Sequence, residues 1–147
     1  MTASTKSEQV QQVAAQIEQW KESAAGEVSV VVLARSRAHV RKLASALYAA
    51  GLDATDTKQA SVAAQQAVSV MIMHSAKGLE FTHVVLMGVD ATSMPQQSRM
   101  RGLADAEKED ILQREQALLY VAASRARDGL MVTVLGQPSG LLPTPSP

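Results

Sequence analysis

No cysteine occurs among the 147 residues, which excludes a disulfide framework and thiolate metal sites. Aromatic side chains are nearly missing too, with one Trp, two Tyr and one Phe. The core of a chain that is 46% hydrophobic must then be built from Val, Leu, Ile, Met and Ala, a mixture that suits a parallel sheet covered by helices. Neither sign of charge is in excess, since 14 Lys and Arg balance 14 Asp and Glu. Without a bulk basic field, any contact with nucleic acid must be local or shared with another part of a larger protein. His39, His74 and His83 have no metal-ligand spacing. No run approaches the roughly 20 apolar residues of a membrane span, and the amino terminus carries no signal-peptide pattern. The expectation is one soluble, cytoplasmic domain with no membrane partner.

What is present alternates between two patterns. Val10, Val13, Ala14, Ile17 and Trp20 recur at helical spacing and predict an amphipathic first helix. "VSVVVLA", Val28 to Ala34, is nearly all apolar and β-branched, as in a strand buried on both faces. Ser36 is a natural cap for a helix with the inner stripe Val40, Leu43, Ala44 and Leu47, stopped by Gly51. Strands are expected at about 28–34, 52–57, 67–73, 83–89 and 130–135. Lys58 to Gln66 reads as a loop or short helix, Ser75 to Leu79 as a turn or short helix, and 91–102 as a loop. A long helix from about Ala106 to Arg127 is predicted, capped by Asp105 and stopped by Gly129, with Ile111, Leu112, Leu118, Leu119, Val121 and Ala122 facing inward. Residues 1–7 read as a loose amino terminus, 8–135 as the domain and 136–147 as a Pro-rich tail or linker. The fold class is α/β, a mainly parallel sheet with helices on both faces.

Ligands of open α/β sheets bind outside the carboxyl ends of the strands. Arg35 follows the first long strand, His74, Lys77 and Glu80 follow the third, and Arg125 and Arg127 stand at a helix end before the last. Several cations would converge on one rim, where guanidinium forks suit phosphate oxygens. A single arginine is more often a solvated or salt-bridged surface group. Lys77 has the same bland reading, Glu80 is as readily a salt-bridge partner, Leu79 and Phe81 are better core residues than base-stacking ones, and Tyr120 is expected to pack on its helix face.

Wording and order add more. "MIMHSAKGLEFTHVVLMGVD", Met71 to Asp90, resembles motif V of the UvrD/Rep/PcrA helicases of superfamily one. "LLYVAASRARDGL", Leu118 to Leu130, is similar to their motif VI, and "VSVVVLARSRAHVRKLASALYAAGL", Val28 to Leu52, resembles motif IV. Two specific motifs in the right order behind a third make coincidence a poor explanation. The resemblance covers about Glu8 to Leu135 and implies a C-terminal RecA-like domain, one of two that bind ATP between them.

By that resemblance Arg35 and Arg125 are the catalytic arginines that approach the γ-phosphate, acting as arginine fingers. Gly78 and Glu80 match nucleotide-side residues, and His74, Ser75 and Lys77 lie on the part of motif V that couples to single-stranded DNA. ATP with Mg²⁺ would be held only together with an N-terminal RecA-like domain of the same parent. No G-x-x-x-x-G-K-[ST] occurs in the chain, so the expectation is one domain of a longer helicase, or a natural remnant, inactive alone. About twenty residues separate Thr55 from His74, too few for the accessory domain that typical relatives insert there. The second reading is a non-catalytic nucleic-acid or protein interaction module of helicase fold.

Overall fold

The computed structural model describes the chain except residues 1, 4, 24–25, 27, 53, 57–67, 92 and 143–147. Its elements run β1 (Thr2–Ala3), α1 (Lys6–Ser23), β2 (Val30–Ala34), α2 (Arg37–Ala49), β3 (Ala54–Asp56), β4 (Val68–Ile72), a 3₁₀ turn (Met73–Ala76), β5 (Phe81–Leu86), α3 (Gln97–Met100), α4 (Asp105–Ala123), β6 (Ala126–Val132) and β7 (Val134–Leu135). β3, β4, β2, β5 and β6 lie side by side in that order, and all four pairings are parallel. β2 is therefore the central strand. Every one of its five residues is buried, which explains why it needs β-branched apolar groups on both faces.

One face of the sheet packs Val30, Val32, Val68, Val70 and Val85 against Val13 and Ile17 of α1 and Val40, Ala44 and Leu47 of α2. The other packs Val31, Leu33, Val84 and Leu86 against Met73 and Ala76 of the 3₁₀ turn and Leu119 and Ala122 of α4. The expected parallel α/β sheet with helices on both faces is what forms. Ser36 caps α2 as expected, its Oγ accepting from the His39 backbone N–H at 3.4 Å. Gly51 follows the helix at φ 98°, a conformation that glycine adopts without steric cost.

Several boundaries differ for identifiable reasons. β1 pairs with β7, so Thr2–Ala3, within the stretch expected to be loose, joins a two-stranded sheet. Ser139 is buried, its N–H donates to the Val89 carbonyl at 3.0 Å, and Leu141 and Leu142 pack on the α4-side core. The segment 136–142 is thus part of the domain and not a free tail. The expected loop over 91–102 contains the short helix α3. The question posed by Lys58 to Gln66 lies outside the described residues. The last long helix starts without a side-chain cap, with Ala104 at the capping position and Asp105 already helical. It also ends at Ala123, four residues short of the expected Arg127, because the Phe81 N–H takes the Arg125 carbonyl into the sheet at 3.0 Å. On α4, Leu112 and Tyr120 face solvent and only Glu115, Leu119 and Ala122 are buried. Leu112, expected to face inward, and Tyr120, expected to pack on its helix face, are both exposed.

Gly129 is consequently no helix stop. It lies in β6 opposite His83 of β5, and a Cβ there would meet the His83 ring at 2.6 Å. That ring cannot give way freely. It stacks on Trp20 with centroids 4.5 Å apart, and its Nδ1 shares a hydrogen bond with Thr82 Oγ1 at 2.9 Å. Gly129→Ala is expected to destabilise the fold by about 1–3 kcal/mol in urea unfolding. Removing the ring as well, in His83→Ala/Gly129→Ala, should cost less than the two single losses added together; simple additivity would show that the close approach is not the cause.

Candidate functional site at the two ends of the sheet

β2 ends at Ala34, so Arg35 emerges at the carboxyl-end rim. Its guanidinium turns down onto α4. Nε donates to both carboxylate oxygens of Glu115, at 3.1 and 2.8 Å, and Nη2 donates to Oε1 at 2.6 Å. The Glu115 side chain is 4% exposed and that of Arg35 13%. Arg99, in α3, brings Nη1 to 3.9 Å from the same carboxylate. His74 sits on the 3₁₀ turn after β4. Partial burial lowers its proton affinity, the charges of Arg35 and Arg99 lower it further, and Glu115 opposes them. The imidazole is therefore neutral at pH 7, able to donate from one ring nitrogen and accept at the other. Ser75 is half-buried beside it.

Asp90 lies just beyond β5. Oδ1 accepts from the Leu135 N–H at 2.7 Å and Oδ2 from Ser93 Oγ at 3.3 Å, so the carboxylate ties the loop after β5 to β7. Among the described residues, no three His, Asp or Glu side chains converge on a metal site.

Arg125 is elsewhere. It immediately precedes β6, and a residue before a parallel strand belongs to the amino-end rim. Nε donates to the Val121 carbonyl at 3.2 Å, and Nη1 approaches the Leu79 carbonyl at 3.4 Å. Nη2 makes no hydrogen bond with the described residues. Glu80 is exposed close by, beside the exposed Arg127–Asp128 pair. The hydrogen bond and charge of Asp128, with a contribution from Glu80, raise the Arg127 pKa. Gly78 has φ 80° and open space where a Cβ would be.

Arg35 and Arg125 are thus not brought together. By the strand registers, about eight residue levels separate their backbones, on the order of 25 Å along the strands. One rim groups Arg35, His74, Ser75, Arg99 and Glu115, and the other groups Gly78, Glu80, Arg125 and Arg127. Lys77 is exposed on the connection between them. The expectation that the cations converge on one rim is corrected by the direction of β6. Glu115 and Arg99 were missed altogether. The available signal was an acidic residue at 115 in the same helical stripe as Leu119 and Ala122, where a buried charge must find a partner.

An all-parallel sheet between helices, with charged clusters at both ends, defines an α/β domain. The chain belongs to the UvrD-like helicase C-terminal domain family, whose pattern matches residues 52–137. It is 33% identical over 101 residues to the ATP-dependent DNA helicase PcrA of Staphylococcus aureus strain MRSA252, covering 65% of this chain and 12% of that protein. Against the ATP-dependent DNA helicase PcrA of Staphylococcus epidermidis strain ATCC 35984 it is 37% identical over 84 residues, covering 57% of this chain and 10% of the relative. The chain therefore spans only about an eighth of the curated relatives' length or less. The fold is similar to the crystal structure of the C-terminal domain of a possible DNA helicase from Lactobacillus plantarum WCFS1, with a TM-score of 0.74 and 23% identity over 95% of this chain and 74% of that one.

The Arg35–Glu115 pair carries a stability consequence. Glu115→Ala leaves a mostly buried guanidinium without its partner and is expected to cost about 3 kcal/mol. Arg35→Met/Glu115→Leu, which removes both charges, should recover most of that loss in urea unfolding. A double variant as unstable as Glu115→Ala would mean that the pair's desolvation is not what matters.

Proposed function

We propose that this chain is the C-terminal domain of a UvrD-like, ATP-dependent DNA helicase or translocase, and that its two rims serve two ligands. The observation that carries this reading is the segment Met73 to Glu80. It begins at the carboxyl-end rim with His74 and Ser75, passes through the buried Ala76, and reaches Gly78 and Glu80 at the amino-end rim. This segment is the direct covalent link between the two rims, with Met73 and Ala76 packed in the core between them.

The amino-end rim fits one wall of a nucleotide cleft. Arg125 keeps part of its fork free for a phosphate oxygen while two carbonyls hold it in place. Gly78 lets backbone approach a ligand closely, and the exposed Glu80 is available to a ribose hydroxyl. Bound ATP with Mg²⁺ would supply the phosphoryl group and its charge, held mainly by an N-terminal domain of the same parent protein. Arg125 would stabilise the charge that develops on transfer, which is the arginine-finger role. The carboxyl-end rim fits a single-stranded DNA backbone, with neutral His74 and Ser75 offering hydrogen-bond donors and Lys77 a flexible cation farther along. Arg35 is regrouped with this rim, because its guanidinium is taken up by Glu115.

The purified chain is expected to show no ATP turnover above a heat-inactivated control, and only weak affinity for nucleotide and single-stranded DNA. One wall gives few contacts, and zero net charge gives counterion release little to act on. Clear turnover, or submicromolar nucleotide binding, would overturn this.

The division between the rims is tested in the ATP-hydrolysing protein that carries the domain. Arg125→Ala is expected to cut turnover by about a thousandfold with nucleotide affinity retained, and Arg125→Lys should rescue poorly. His74→Ala should instead raise the single-stranded DNA concentration that gives half-maximal turnover. Near-normal turnover in Arg125→Ala would return this arginine to a helix-end surface role.

A further inference from the structure

Arg99 is not needed by the carboxylate it approaches. Glu115 already accepts three hydrogen bonds from Arg35 at 2.6 to 3.1 Å. Arg99 stops at 3.9 Å with its side chain 53% exposed, well beyond the length of a charge-assisted hydrogen bond. Among the described residues its donors have no closer acceptor, and a contact of that length contributes little that a better acceptor could not replace.

The loop that leads to Arg99 is anchored a few residues upstream. Met94 is fully buried, and its carbonyl accepts from the Ser139 hydroxyl. Asp90 accepts from the Ser93 hydroxyl and the Leu135 N–H, and the Arg99 N–H donates to the Gln96 carbonyl at 3.0 Å. An exposed cation near an anchored loop loses less freedom on binding than one on a free chain. Around Glu115, two guanidiniums face one carboxylate, leaving one surplus positive charge beside the exposed His74. The chain as a whole has none.

We propose that Arg99 is a phosphodiester contact for single-stranded nucleic acid on the carboxyl-end rim, with Glu115 holding Arg35 fixed and Arg99 within reach. Arg99 leaves its long contact with Glu115 and closes on a backbone phosphate next to His74, while Arg35 remains on the carboxylate. The inference rests on the reading that this rim faces single-stranded DNA and assigns it a residue outside the motifs that suggested that reading.

The test titrates the full chain into a labelled oligothymidylate at a series of low salt concentrations and follows fluorescence anisotropy. Losing one phosphate contact should reduce the magnitude of the slope of log K against log salt by about 0.7 in Arg99→Ala, with several-fold weaker binding at the lowest salt. Lys42→Ala removes the same charge from an exposed position on α2, on the opposite face of the sheet, and should leave the slope unchanged. A wild-type slope in Arg99→Ala, or equal losses in both variants, would overturn the assignment. If those results came while His74→Ala still weakened binding, the rim would stand as the DNA face and only Arg99 would fall. An oligonucleotide that ignores the wild-type chain, or ignores His74→Ala, removes the DNA reading of the rim and this inference with it.

Discussion

Two parallel strands, β4 and β5, flank the central strand β2, and only eight residues connect them. The connection must run from the carboxyl end of one to the amino end of the other and clear the strand between, a span of roughly 20 Å. An eight-residue α-helix would cover only about 12 Å, so the usual helical crossover is too short. The chain makes one 3₁₀ turn and then extends, with Gly78 taking a positive φ. Polar groups therefore follow the apolar strand at once. Met73, Ala76 and Leu79 hold the segment to the sheet, while the residues between them are left at the two rims. The geometry of this crossing underlies the split of charged residues into two clusters.

Helix α4 shows how little apolar contact can fix an element when one polar contact is specific. Of its 19 residues only Glu115, Leu119 and Ala122 are buried. Two apolar side chains resist sliding poorly, whereas a forked guanidinium–carboxylate pair has a defined direction and spacing. The Arg35–Glu115 pair therefore sets the position of α4 along β2. It fixes by the same contact where Arg125, at the far end of that helix, meets the Leu79 carbonyl.

Much of this was legible in the residues. Continuous apolar runs identified β2, β4 and β5, and the Ser36 cap and Gly51 bounded α2 through local backbone chemistry. Other features depended on partners distant in the chain. Gly129 resembled a helix stop, but its reason is the His83 ring across the ladder. The segment 136–142 resembled a linker because its burial comes from Met94 and Val89, some 45 residues earlier. The convergence of Arg35 and Arg125 failed on a point that strand direction already contained, since a residue before a parallel strand lies at the opposite end from one after it. Glu115 was hidden for a different reason: amphipathic patterning treats acidic residues as solvent-facing, and only its partner accounts for its burial.

The family pattern begins at residue 52, yet β2 lies entirely before that point. The recognisable stretch therefore contains two sheet fragments, β3–β4 and β5–β6, without the strand that joins them. α1 and α2, which cover one face with Val13, Ile17 and Leu47, precede it as well. A boundary drawn by similarity would split the cooperative unit through its middle and leave Val70 and Val85 facing water. The portable piece of this architecture starts with the helix that covers the sheet, well ahead of residue 52.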